Sequence, residues 1–149
     1  MSTPQVSVIG GGMITNDQIE AYLIETGAPF ESVKEGFWLI HDDYDAVDNI
    51  VVVHNPPVIT FRVKLFDIPE APAQHELFTH LLRLNGTDMI AGAYGLEDDA
   101  VVLTDSLQSE NLDYNEFQAS VDAIAFAVRE HYDELKGFMP ESSSVIEEE

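Results

Sequence analysis

The alternation of apolar and polar residues divides the chain into eight structured segments. Thr15 or Asn16 can cap a first helix, Asp17 suits its first turn, and Ile19, Tyr22 and Leu23 recur at helical spacing. Gly27 and Pro29 stop this helix near Thr26. GFWLIH, residues 36 to 41, reads as a strand, and IVVVH, residues 50 to 54, as a second one rich in β-branched side chains. In VITFRVKLF, residues 58 to 66, Ile59, Phe61, Val63 and Leu65 alternate with Thr60, Arg62, Lys64 and Phe66, the period of a half-buried strand. The connections HDDYDAVDN and Asn55-Pro56-Pro57 are short, so these three strands form an antiparallel meander. A second helix follows from about Ala73 to Leu84. Leu77, Leu81 and Leu84 share one stripe, widened by Phe78 and Leu82, and Asn85-Gly86 ends it. MIAGAYGL, residues 89 to 96, is a fourth strand thinned by small residues. Glu97-Asp98-Asp99 turns it into AVVLT, residues 100 to 104, the fifth. Asn111 or Asp113 caps the last helix, whose three-four alternation runs through Tyr114, Phe117, Val121, Ile124, Val128, His131 and Leu135 to an end near Gly137.

The order α-β-β-β-α-β-β-α puts strands in hairpin-linked runs. It predicts an α+β fold: a five-stranded antiparallel sheet with the helices packed on one face. The 149 residues suffice for one domain, and 45% hydrophobic content provides a core. The boundaries read as a flexible lead over 1–14, a folded domain over 15–137 and an acidic, disordered tail over 138–149, rich in serine and glutamate.

Charge adds the strongest compositional signal. Asp and Glu number 28 against 6 Lys and Arg, a net charge of −22, which repels nucleic acid and anionic lipid and suits either solubility alone or a basic partner. No window approaches the roughly 18 apolar residues of a membrane span. The first residues lack the basic and apolar regions of a secretory signal, so the expected location is cytoplasmic. With no cysteine there is no disulfide, thiol nucleophile or cysteine metal site.

Motifs for small-molecule chemistry fail on inspection. Gly10 and Gly12 fit a dinucleotide fingerprint, but Thr15 stands where the third glycine belongs, and no parallel strand follows closely. Asp42, Asp43, Asp45 and Asp48 suggest a calcium loop. Counted from Asp43, however, its glycine and glutamate places hold Asp48 and His54. His75 and His80 are five apart and miss the spacing at which two helical histidines share a metal, while His41-Asp42-Asp43 are adjacent residues that rarely converge. Abundant carboxylates make any acid/base pair uninformative, so no catalytic residue, metal or cofactor is assigned.

The stretch LLRLNGTDMIAGAYGLEDDAVVLTDSLQSENLDYNEFQASVDAIAFAVREHY, residues 81 to 132, combines several features: a leucine-rich helix end with Asn85, a small-residue strand, an acidic hairpin and an apolar strand. Leu107, Leu112-Asp113 and a long amphipathic helix follow. In this pattern, and in element order over about residues 15 to 137, the chain resembles the class I type III secretion chaperones, Tir-chaperone-like, and their YbjN-like relatives. The resemblance implies their fold, a protein-binding role and, commonly, a homodimer.

The candidate sites follow from the strands. Thr60, Arg62 and Lys64 face away from the core stripe, bringing two of six basic residues onto the outer sheet face. Residues 50 to 53 are apolar on both faces, so Val51 and Val53 also face outward, where either a partner or another part of the chain covers them. These five are the candidate partner-binding residues. Gly92, Ala93 and Gly95 allow close backbone approach and, with Leu77 and Leu81, are candidate dimer contacts; the same small residues equally relieve crowding under the second helix. The function expected is non-enzymatic binding of a client polypeptide. The alternatives are a regulatory or adaptor domain on a folded partner and, last, a small acidic enzyme.

Overall fold

The structure, a computed structural model, describes residues 14–41 and 49–140. Helix α1 (Asn16–Thr26) begins at Thr15, whose hydroxyl accepts from the Gln18 backbone while Gln18 returns a bond to the Thr15 amide, a complete capping box. Gly27 ends it at φ +86°, a left-handed conformation natural to glycine. Four strands follow: β1 (Phe30–Lys34), β2 (Phe37–His41), β3 (Asn49–Asn55) and β4 (Val58–Asp67). Helix α2 (Ala71–Thr87) leads to the hairpin β5 (Ala93–Glu97) and β6 (Ala100–Gln108). Helix α3 (Tyr114–Leu135), boxed at its start by Asp113 and Glu116, runs into a short 3₁₀ turn at Lys136–Phe138.

All six strands form one antiparallel sheet in the order β1-β2-β3-β4-β6-β5. The α+β architecture stands, but the strand count is six, not five. The added strand, β1, has the sequence FESVK and lies almost wholly exposed at the sheet edge, so it carries no alternation that periodicity detects.

One contiguous core joins the three helices to one sheet face. It includes Trp38, Ile40, Ile50, Val52, Ile59, Phe61 and Val63 from the strands, Ile19 and Leu23 from α1, and Leu77 and Leu81 from α2. Phe117 of α3 anchors it, edge to face against Phe61 at 5.2 Å and tilted against Tyr22 at 5.6 Å. Register slips once in β4, between Lys64 and Phe66. Beyond this bulge Phe66 enters the core and Leu65 is only half-buried, the reverse of simple alternation. Helix α2 also runs past Asn85-Gly86, because the Asn85 side chain has a tertiary role. Its amide donates to the Tyr94 carbonyl at 3.1 Å and accepts from the Tyr94 N–H at 2.8 Å, standing in for a neighbouring strand along β5.

Candidate functional site

The face of the sheet turned away from the helices is assembled by pleat alternation. In β2 and β3 buried positions alternate with half-buried ones, so Phe37, Leu39, Val51 and Val53 lie together on the outer side. Cross-strand register places Val51 beside Arg62 and Val53 beside Thr60, with Lys64 next along β4. The five expected partner-binding residues therefore share one surface. The structure adds Phe37, Leu39 and Lys34, whose ammonium sits 5.7 Å from the centre of the Phe37 ring. Three of the six basic residues in the chain thus gather around an apolar patch. Their partners are exposed: Arg62 pairs with Glu97, and Lys64 with Asp67 at 3.2 Å, pairs that contribute little to stability in water. The Arg62–Glu97 pair reaches from β4 to β5 across β6, over Val102, which is buried on this outer face.

The expected dimer contacts separate. Leu77 and Leu81 are buried in the chain's own core, a correction to the sequence reading, since side chains packed within the chain offer no surface to a second copy; Leu82 on the same helix stays exposed. Gly92 has φ +83°, and a Cβ there would stand 2.7 Å from the Thr104 carbonyl oxygen, so its glycine is required by the fold itself. Gly95 opens onto free space, and Ala93 is exposed beside it.

A polar cluster that the sequence did not reveal ties α1 to the sheet. The His54 ring lies between Asn16 Oδ1, 2.7 Å from Nδ1, and Ser109 Oγ, 2.9 Å from Nε2, while the Asn16 amide donates to Glu35. Burial holds the His54 pKa below its ordinary value. The order Ser-His-Asn resembles a nucleophile with its base and orienting group. Ser109 is fully buried, however, and these contacts clamp the first turn of α1 to the ends of β3 and β6. Residues 16, 54 and 109 are too far apart in sequence for any local motif to signal this.

Among the described residues no three His, Asp or Glu side chains converge as metal ligands. His41 lies 3.5 Å from Glu31 and His80 2.9 Å from Glu134. Gly10 and Gly12, the Asp42, Asp43, Asp45 and Asp48 cluster, and the tail from 141 onward lie outside the described residues. Among the described residues no helix is long and apolar enough to cross a membrane. On the helix side, an open groove of about 730 Å³ runs between the end of α1, Ile40 and Ile50 of the sheet, and Val121, Ala125 and Phe126 of α3.

The model of the CesT_Tir_1 family matches residues 13–141. Among solved structures, YbjN from E. coli superposes with a TM-score of 0.61 at 16% identity, over 83% of this chain and 96% of that one. A chain of the heterodimeric ExoU–SpcU complex from the type III secretion system of Pseudomonas aeruginosa does so with a TM-score of 0.61 at 15% identity, over 83% and 98%. No curated protein matches in sequence.

Proposed function

The chain belongs to the CesT_Tir_1 family of type III chaperones, and from that premise we propose that it is a non-enzymatic chaperone holding an extended client segment against the outer face of its sheet. One observation carries the proposal. Where a solvated sheet face would be polar, Phe37, Leu39, Val51 and Val53 form a half-buried apolar strip. The client's apolar side chains bury this strip, while Thr60, Arg62 and Lys64, with Lys34, orient its polar and acidic groups. The remaining carboxylates keep the complex soluble. The likeness to a chain of the ExoU–SpcU complex, a heterodimer of two proteins, supports a protein partner. The proposed assembly is a cytoplasmic homodimer in which Ala93 and Gly95, with room around them, meet the second copy.

Photocrosslinking in the native cell tests the site. Benzoylphenylalanine at Val53 is expected to trap one client, whereas the same group at Leu82, exposed on α2, traps none. Equal yields at both positions, or none at Val53, refute the site. A trapped partner that resists protease as an intact domain favours the adaptor reading over an extended client.

A further inference from the structure

A second apolar surface lies on the far side of the molecule and plays no part in the proposed client site. Helix α3 packs on the inner sheet face, and its outward side meets the connection between α2 and β5 around a cavity of about 210 Å³. Two large side chains wall this cavity while remaining open to water: Ile90 is 85% exposed and Phe126 47%. Asp88 and Glu130 stand on its lining, and His131 forms its floor.

The floor is fixed from behind. The Tyr94 hydroxyl lies 2.7 Å from His131 Nδ1, inside the core. Burial, and then the charges of Glu134 and Asp88, raise the Tyr94 pKa, so the phenol keeps its proton within the core. The other ring nitrogen, Nε2, faces the Asp88 carboxylate at 3.5 Å, beside the cavity.

Apolar walls with two carboxylates suit one kind of guest. The volume is that of a single side chain. A second copy docking through this same face would set its own Asp88 and Glu130 against these carboxylates. A fatty or phosphorylated ligand meets the same repulsion. An arginine has an aliphatic stem for Ile90 and Phe126, a planar cation that stacks on an aromatic ring, and donors in a fork that matches carboxylates. We propose that the cavity between Ile90, Phe126, Asp88 and Glu130 is an anchor site for an arginine, flanked by apolar residues, on a basic segment of a partner protein. The site is separate from the outer sheet face, so one copy of the chain can hold a client on one side and a basic partner on the other.

Titration of the full isotope-labelled chain with N-acetyl-Leu-Arg-Leu-amide, followed by amide shifts, tests this directly. Saturable shifts are expected at Ile90 and Phe126, with the outer-face strands unmoved. The citrulline peptide, equal in shape but uncharged, should bind about tenfold more weakly, the scale of one hydrogen bond to a charged group. Glu130→Gln and Phe126→Ser should each weaken the arginine peptide, and Glu130→Gln, an exposed change, leaves the fold intact. Unsaturable shifts scattered over the acidic surface, or equal binding of the citrulline peptide, overturn the proposal. So does self-association that Phe126→Ser abolishes, which would assign the face to a second copy.

Discussion

His54 makes the stability of this protein depend on pH with a sign fixed by its neighbours. The Asn16 amide is committed to Glu35, so Asn16 Oδ1 accepts from His54 Nδ1–H, and Nε2 must accept from the Ser109 hydroxyl. The neutral ring is fully satisfied, whereas protonation would leave Nε2–H facing a hydroxyl whose own hydrogen must find another acceptor. Burial adds to this, and the folded-state pKa lies below the ordinary 6.5. The unfolded chain therefore binds a proton on His54 at a higher pH than the folded chain does. His54 stabilises the fold fully above pH 6.5, and its contribution falls as the pH drops from there toward the folded-state pKa. A single histidine adds at most about 1.4 kcal/mol per pH unit to that slope. The test compares wild type with His54→Gln by urea denaturation from pH 8 to 5, read from the fluorescence of Trp38, the sole tryptophan and a buried one. The 28 carboxylates and four other histidines are common to both proteins, so the difference between the two curves isolates His54. The wild-type advantage should shrink below pH 6.5. At neutral pH His54→Ala, which strands Asn16 Oδ1 and Ser109 Oγ, should cost about 2–5 kcal/mol. That is a large part of a typical total of about 5–15 kcal/mol. A difference curve flat across the whole range would refute the reasoning.

Two further predictions probe the packing. Phe117→Ala removes a fully buried ring that contacts both Phe61 and Tyr22, and should cost about 3–5 kcal/mol by chemical denaturation. Gly92→Ala should lose about 2 kcal/mol or more, through positive φ and contact with the Thr104 carbonyl, while Gly95→Ala should leave stability within about 0.5 kcal/mol. If Gly95 meets a second copy, Gly95→Arg turns the dimer into a folded monomer by light scattering; an unchanged mass removes β5 from the interface.

The sequence revealed those parts of the fold where local chemistry and tertiary demand agree. The capping boxes at Thr15 and Asp113 and the stripe of α3 fall where their residues suggest. The failures have separate causes. β1 is an edge strand with one face on its neighbour and little burial, so FESVK has no pattern to show. The β4 bulge reverses the pleat at Phe66, a backbone event that side-chain periodicity does not encode. Asn85 reads as a helix stop but spends its amide on the backbone of β5. Within the site, Val51 and Val53 were legible because IVVV has no polar face. FWLIH carries the same signal, with Phe37 and Leu39 opposite Trp38 and Ile40. Lys34 joins the patch only through β1.

The amide of Asn85 also bears on how this chain avoids uncontrolled assembly. Endless stacking of sheets needs two receptive rims on every copy, one to accept the next molecule and one to pass the ladder on. On β5 the main-chain groups of Tyr94 are already occupied by Asn85, so that rim is blocked near its start. Among the described residues β1, at the opposite rim, likewise has no strand on its outer side, and no Asn85-like amide is bonded there. A molecule with a single receptive rim can be lengthened once, and any ribbon that begins there terminates at the next copy instead of propagating into a fibre.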